Sequence, residues 1–141
     1  MEMAARDAGI LELGARVHLF VQPRAREAIT SLFRDVLGCD VKELDFGMEH
    51  PILFVQFGNG SGFSVEFTEL APVEFAGDTL ADEHAFRGAW IEFRTTDLSG
   101  HQAALRRAGI REFRHVGSSH TYFSAPGGQV FRLLDVGYRG P

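Results

Sequence analysis

The sequence predicts an α+β fold made of two tandem βαβββ modules. The same order of elements occurs twice: an apolar strand, a helix that ends at a glycine, and three further strand-like segments. His18 lies 20 residues before Gly38, and Trp90 lies 19 residues before Gly109, so the two copies keep nearly the same spacing. A repeat that keeps the order of its elements, although the two copies share little sequence identity, indicates a duplicated supersecondary unit.

Module one is predicted at residues 15–69, after an arm of charged and small residues at 1–14. Its first strand spans 15–21, where the sequence is strongly apolar. Apolar side chains then recur at three- and four-residue spacing over 25–37, which predicts a helix that ends at Gly38. Three strands separated by glycine-rich turns follow, at 41–46, 52–57 and 63–68.

Residues 70–88 have no clear period and include Pro72 and Gly77, so they are predicted to link the two modules. Module two is predicted at 89–136. It has a strand at 89–95, a helix at 98–108 and strands near 111–116, 120–124 and 129–136. The linker and the two modules together, residues 15–136, are expected to form one domain with a helix-covered sheet, and the arm at 1–14 lies outside it.

Composition excludes several classes of function. The chain has 141 residues and 45% apolar content, enough for one domain with a real core. Fourteen basic against nineteen acidic residues, without a basic run, argue against a nucleic-acid partner. Residues 1–14 lack a signal-peptide pattern and no segment is long and apolar enough to span a membrane. The single cysteine, Cys39, favours a reducing compartment, so we expect a cytoplasmic protein.

Four short motifs resemble the vicinal oxygen chelate superfamily, which includes glyoxalase I, bleomycin-resistance proteins, fosfomycin-resistance enzymes and extradiol dioxygenases. They are the His18 strand, the helix end at 33–38, the helix entry at 96–98 and the turn at 122–129. The resemblance covers residues 15–136. It implies a single glyoxalase-like domain whose modules form a curved, partly open mixed sheet around a cavity, with the helices outside.

The resemblance also implies four metal-ligand positions, two in each module, which fall on His18, Glu66, Trp90 and Arg132. His18 and Glu66 are chemically competent ligands and are the candidate catalytic residues. Trp90 and Arg132 are not ligands, since an arginine guanidinium has no free lone pair and would repel a cation. We therefore expect no metal or other cofactor. On the geometry that the resemblance implies, Glu66 and Arg132 are predicted to form an ion pair.

Strand alternation extends the candidate site, because residues two apart lie on the same face of a strand. If His18 and Trp90 face the cavity, several polar and aromatic neighbours do so as well. The predicted ligand-binding residues are Phe20, Gln22, Ser64, Trp90, Glu92, Arg94 and Arg132.

Each of these residues also has a purely structural interpretation. An inward Glu–Arg pair can stabilise the sheet without binding a ligand. His18 can be a structural histidine whose ring nitrogens are hydrogen-bonded to neighbours, and Trp90 can simply fill space. The functional interpretation of Trp90 is a stacking wall for a planar or cationic molecule. Alternation does not settle which face His120 and Tyr122 occupy.

The preferred function is metal-free binding of a small organic molecule by a homodimer, as in bleomycin-resistance proteins. The alternative is a divalent-metal-dependent lyase, epimerase or dioxygenase that uses His18 and Glu66 with a substitute ligand such as Glu92. A third class is metal-free acid–base chemistry by His18 or Glu66, with an arginine stabilising an anion. The sequence does not identify the ligand, its charge or the role of residues 1–14.

Overall fold

The computed structural model of the chain describes residues 9–72, 88–110, 112–114 and 120–140. Most of the predicted linker at 70–88 lies outside these ranges, as does much of the strand predicted near 111–116. In the described ranges, no helix has the length and apolar character needed to cross a membrane.

Module one begins with strand β1, His18–Val21, and continues into one helical segment. This segment starts as a 3-10 turn at Pro23–Ala25, becomes helix α1 at Arg26–Ser31 and ends as a π turn at Leu32–Val36. Gly38 follows with φ of 72°, a left-handed conformation that glycine adopts without strain and that ends the helix. Strands β2, Asp40–Leu44, β3, Ile52–Gln56, and β4, Gly62–Phe67, complete the module.

Module two repeats this order with strand β5, Trp90–Thr95, and helix α2, Leu98–Arg107. Helix α2 starts at Asp97, whose side chain accepts a hydrogen bond from the backbone N–H of Gly100 and so satisfies one of the free donors of the first turn. Strands β6, Glu112–Phe113, β7, Thr121–Ser124, and β8, Val130–Asp135, follow.

The described strands form two four-stranded mixed sheets of identical topology. The strand order is β1-β4-β3-β2 in sheet one and β5-β8-β7-β6 in sheet two. In each sheet the first and last strands of the module pair in parallel, and the other neighbours are antiparallel. The predicted α+β fold of two βαβββ modules is confirmed, and neither sheet is closed.

A shared aromatic core joins the two modules. Phe33 from the helical segment of module one is fully buried and contacts Phe63 of its own sheet at a ring distance of 5.0 Å. It also contacts Phe93 and Phe131 of sheet two, at 6.0 and 5.8 Å. Phe93 and Phe131 stack on one another at 4.4 Å. The modules thus pack through the sides of their sheets that carry the helices.

This packing fixes where the candidate residues lie. We call the side of each sheet that meets the shared core its helix face, and the opposite side its cavity face. Side chains alternate along a strand, so the neighbours of Phe63 and Phe131 lie on the cavity faces. His18, Ser64 and Glu66 therefore occupy the cavity face of sheet one, and Trp90, Glu92 and Arg132 that of sheet two. Within one chain the shared core separates these two sets.

Replacing Phe33 with alanine should lower the free energy of unfolding by about 3–5 kcal/mol, because the substitution opens a cavity where both modules meet. Urea denaturation followed by circular dichroism measures this loss. Leu70→Ala is the control: its side chain is 94% exposed, so the change should stay within about 0.5 kcal/mol. Equal losses for the two variants would contradict a shared core centred on Phe33.

Candidate functional site

On the cavity face of sheet one, His18 is held between two polar neighbours. Its Nδ1 lies 2.6 Å from the Ser64 hydroxyl oxygen and its Nε2 lies 3.0 Å from a Glu66 carboxylate oxygen. Strands β1 and β4 run in parallel with His18 beside Ser64 and Phe20 beside Glu66, which brings the three polar groups together. With Glu66 accepting from Nε2–H, the ring nitrogen Nδ1 accepts from the Ser64 hydroxyl.

The same face is open to solvent. Phe20 is 57% exposed and its ring lies at the edge of the His18 imidazole, with the centroids 5.2 Å apart. Further along the face, Phe54 contacts Phe46, which is 62% exposed. Large aromatic side chains at these exposures leave an apolar surface beside the His18 cluster that nothing in the described chain covers.

On the cavity face of sheet two, Arg132 forms an ion pair with Glu92. The two lie side by side on the parallel strands β8 and β5, with Nη2 of Arg132 2.7 Å from a Glu92 oxygen. The other Glu92 oxygen accepts a hydrogen bond from Arg94 at 2.8 Å. The predicted Glu66–Arg132 pair is therefore wrong. Glu66 is hydrogen-bonded to His18 on sheet one, and Arg132 is paired with the carboxylate of Glu92 on the adjacent strand of sheet two.

These contacts shift the pKa values of both partners. Hydrogen bonds from Arg94 and then from Arg132 lower the pKa of the Glu92 carboxyl. Burial acts to lower the pKa of Arg132, but its hydrogen bonds to Glu92 and Tyr122 outweigh burial and raise the pKa. The pair is thus ionised across the neutral range, and the positive charge of Arg132 is locally compensated.

Trp90 stacks on this ion pair. The Arg132 guanidinium carbon lies 4.0 Å from the indole centroid, a cation–π geometry, and the ring of Tyr122 approaches the indole edge-on at 6.1 Å. Trp90 remains 42% exposed. Nε of Arg132 is buried and has no hydrogen-bond partner among the described residues, which is uncommon for a charged donor. One indole surface is therefore left for another molecule, whereas the unpaired Nε–H is covered and not accessible from solvent.

Two predicted ligand-binding residues have structural partners instead. Gln22 is buried, and its side-chain amide donates to the carbonyl oxygens of Glu69 and Ala71, which holds the turn after β4. Arg94 donates to the carbonyl of Tyr138 at 2.7 Å and so fixes the C-terminal segment. Hydrogen bonds to backbone carbonyls satisfy these side chains and explain their polar character without a ligand.

Tyr122, whose face the sequence left open, lies on the cavity face of sheet two. It pairs in register with Arg132 across strands β7 and β8, is buried and stacks on Phe113 at 6.1 Å. The other undecided residue, His120, packs its ring edge-on against Tyr138 at 4.7 Å. Strand register, which a single sequence does not provide, was needed to place Tyr122.

The donor set for a metal is incomplete. His18 and Glu66 lie together as competent metal ligands, whereas Trp90 and Arg132 have no side-chain atom with a lone pair that could bind a metal ion. The substitute ligand considered above, Glu92, has both oxygens engaged by guanidinium groups. In the part of the chain that the structure describes, no group of three or more His, Cys, Asp or Glu residues could hold a metal ion. The residues do not fit the four-ligand arrangement that the fold family implies.

Comparison with solved structures gives the same fold at low sequence identity. The antibiotic binding protein TnmS3 from Streptomyces sp. CB03234 matches with a TM-score of 0.62 and 15% identity, covering 89% of this chain and 96% of its own. The trypanothione-dependent glyoxalase I of Leishmania major matches at 0.63 and 12%, covering 89% and 87%. The fosfomycin resistance protein FosX from Listeria monocytogenes, solved with Mn(II), matches at 0.60 and 10%, covering 88% and 92%.

The sequence itself matches no family model and no curated protein. The structural neighbours include both an antibiotic binding protein and a resistance protein solved with Mn(II), so the fold does not choose between these functions. The resemblance to the vicinal oxygen chelate superfamily is confirmed for the fold.

The Glu92 pair should make stability depend on pH. A carboxyl group whose pKa is lowered by folding stabilises the protein above its unfolded value, near 4.5, and that stabilisation is lost as pH falls through the lowered folded value. Glu92→Gln should therefore lower the melting temperature clearly at pH 7 and progressively less toward pH 3. Differential scanning fluorimetry measures both proteins at each pH.

The exposed residue Glu12 offers the control, since Glu12→Gln should leave the melting temperature unchanged throughout this range. If Glu92→Gln lowered the melting temperature by the same amount at pH 3 and pH 7, the ion pairs of the Glu92 carboxylate with its arginine partners would contribute nothing to stability.

Proposed function

We propose that this chain, which has the glyoxalase and bleomycin-resistance fold, binds a small organic molecule without a metal, on the cavity face of sheet two. The observation that carries the proposal is the combination at Arg132: a buried guanidinium with an unpaired Nε beside a half-exposed indole. A ligand that stacked on Trp90, and that displaced the indole enough to uncover Nε and accept a hydrogen bond from it, would satisfy both groups.

The geometry indicates the chemistry of such a ligand. A planar ring suits the free surface of Trp90, and an oxygen acceptor suits Arg132. Arg94 and Arg132 share the single carboxylate of Glu92, so the described cluster carries one excess positive charge. A planar aromatic acid, or an uncharged planar molecule with a carbonyl oxygen, fits this charge better than a cation. The neighbour TnmS3, an antibiotic binding protein, makes an aromatic antibiotic a reasonable class to test first.

Ligand binding should depend on Trp90. Planar aromatic carboxylates and sulfonates, each paired with a cationic analogue of similar shape, can be screened by quenching of the Trp90 fluorescence, since the chain has one tryptophan. For the best binder, isothermal titration calorimetry should give an affinity about 5- to 150-fold lower with Trp90→Ala, because stacking is worth about 1–3 kcal/mol by alanine substitution. Trp90→Phe should retain most of the affinity.

The control for folding is Leu11→Ala, in the exposed N-terminal arm, which should bind as the native protein does. Preference for the cations, or equal affinity of the native and Trp90→Ala proteins, would contradict a ligand held between Trp90 and Arg132.

We further propose that the protein is a homodimer in which the cavity face of sheet one covers that of sheet two from a second copy. The two cavity faces of one chain lie on opposite sides of the shared core and cannot enclose a ligand together. Phe20 and Phe46, both more than half exposed, would be buried by such pairing, and the His18 cluster would face the Trp90 cluster of the partner. Each pocket then draws one module from each copy.

Size-exclusion chromatography with light scattering should report twice the mass of 15.6 kDa. Phe20→Asp should shift the protein toward monomer, because the charge would be buried without a partner in the interface. Leu70→Asp is the matched control, since Leu70 is 94% exposed on the turn after β4 and lies outside the proposed interface. A native protein that is monomeric at every concentration tested would remove the dimer and the shared pocket.

Two other functions remain proposals of lower rank. A metal-dependent lyase, epimerase or dioxygenase would use His18 and Glu66, but lacks further donors. Metal-free acid–base chemistry is favoured by one observation, the chain of hydrogen bonds from Ser64 through His18 to Glu66, which could move a proton to or from a bound ligand. A cytoplasmic location also stays a prediction from the single cysteine.

A further inference from the structure

A second concavity lies between the modules, on the helix-face side of both sheets. Its volume is about 710 Å³, which is within the usual range for small-molecule sites. Its walls come from the end of the module-one helical segment, the glycine-rich turn after β3, strand β5 and helix α2. His18, Glu66, Trp90 and Arg132 are not among its lining residues. It shares Glu92 and Arg94 of strand β5 with the proposed ligand site, but opens on the other side of the sheet.

The shared core is incompletely covered at this place. Six apolar residues that pack against the core but are only partly buried all line the pocket: Val17, Leu37, Cys39, Phe57, Ile91 and Phe93. Phe57 and Phe93 contact each other at a ring distance of 5.1 Å, and each leaves part of its ring uncovered. The unfilled apolar surface is thus concentrated at one concave site, where a ligand of matching size would gain hydrophobic burial.

One polar group in the lining offers a defined hydrogen bond. His101, on helix α2, has its Nδ1 2.7 Å from the hydroxyl oxygen of Thr95, which itself accepts the backbone N–H of Asp97 at 2.9 Å. When the Thr95 hydroxyl donates to Nδ1, the imidazole hydrogen is on Nε2. Nε2 then offers a donor to a molecule in the pocket.

The acidic and basic side chains of the described lining are Glu92 and Arg94. Glu92 and Arg94 form an ion pair with each other at 2.8 Å. Burial raises the pKa of the Cys39 thiol to about 11, so the thiol is protonated at neutral pH and contributes apolar surface. An ionised ligand would lose hydration here without gaining a partner.

We propose that this between-module pocket is a second binding site, for an uncharged, largely aromatic molecule with one hydrogen-bond acceptor for Nε2–H of His101. The ring surfaces of Phe57 and Phe93 supply the stacking walls, and His101 sets the orientation of the ligand. This site is additional to the one beside Trp90 and works independently of it.

Nile red is a suitable probe, because it is uncharged, aromatic, carries a carbonyl acceptor and brightens in apolar surroundings. Gly58 lines the pocket, has no positive φ, and a side chain there would meet open space, so Gly58→Trp should fold normally and fill the site. Gly14→Trp is the matched control, since Gly14 has the same freedom in the exposed arm. The expected result is saturable Nile red binding that Gly58→Trp weakens at least tenfold and Gly14→Trp leaves unchanged.

Two further measurements separate this site from the one beside Trp90. His101→Ala should weaken Nile red binding about fivefold, the loss of one neutral hydrogen bond, while Trp90→Ala should leave it unchanged. Nile red should also slow the labelling of Cys39, the single thiol of the chain, by a maleimide. These readouts decide the question if Gly58→Trp fails to fold.

Two kinds of result would overturn the proposal. Nile red binding that is absent, or equal in the Gly58→Trp and Gly14→Trp proteins, would show that the pocket does not take such a molecule. Loss of binding in Trp90→Ala would place the probe at the other site.

Discussion

The contact of Phe33 with Phe63, Phe93 and Phe131 determines how the rest of the molecule is arranged. Four rings from the helical segment and both sheets meet at centroid distances between 4.4 and 6.3 Å, so each module supplies the apolar surface that the other must bury. Because the sheets share this core through their helix faces, their cavity faces are directed away from it, and among the described residues nothing encloses a ligand site on either face.

That arrangement also explains the charges on the cavity faces. A guanidinium as buried as that of Arg132 needs a carboxylate, and the nearest is Glu92, its register partner on the adjacent parallel strand. Glu66 is on the other sheet, where it orients His18 instead. The result is two clusters of different character: a hydrogen-bonded His18 cluster beside exposed Phe20, and a compensated Arg132 stacked on Trp90. The proposed dimer would bring one of each together around a ligand, with donor and stacking groups in place of a metal.

The fold was predictable because it depends on patterns that are local in sequence. Periodic apolar residues over 25–37, the glycines at both helix ends and the repeated strand order were sufficient for two βαβββ modules, and alternation placed Ser64, Glu92 and Arg132 on the correct faces. The ion-pair and hydrogen-bond partners of the site residues were not predictable. Which carboxylate neutralises Arg132 depends on the way the sheets pack, and the prediction assumed that the two cavity faces of one chain meet. Gln22 was assigned to the ligand site by alternation, although the turn carbonyls that it satisfies lie beyond the end of its strand.

The central claim is that Trp90 and Arg132, at positions where metal ligands were expected, provide a binding surface for an organic molecule instead. Metal analysis by mass spectrometry of protein purified without chelators, then dialysed against Mn²⁺, Zn²⁺ or Ni²⁺, tests this claim directly. It predicts far less than one equivalent of any divalent ion per chain, with no difference between the native protein and a His18→Ala/Glu66→Gln double variant. One tightly bound equivalent that disappears in the double variant would contradict it, since His18 and Glu66 would then hold a metal despite Arg132.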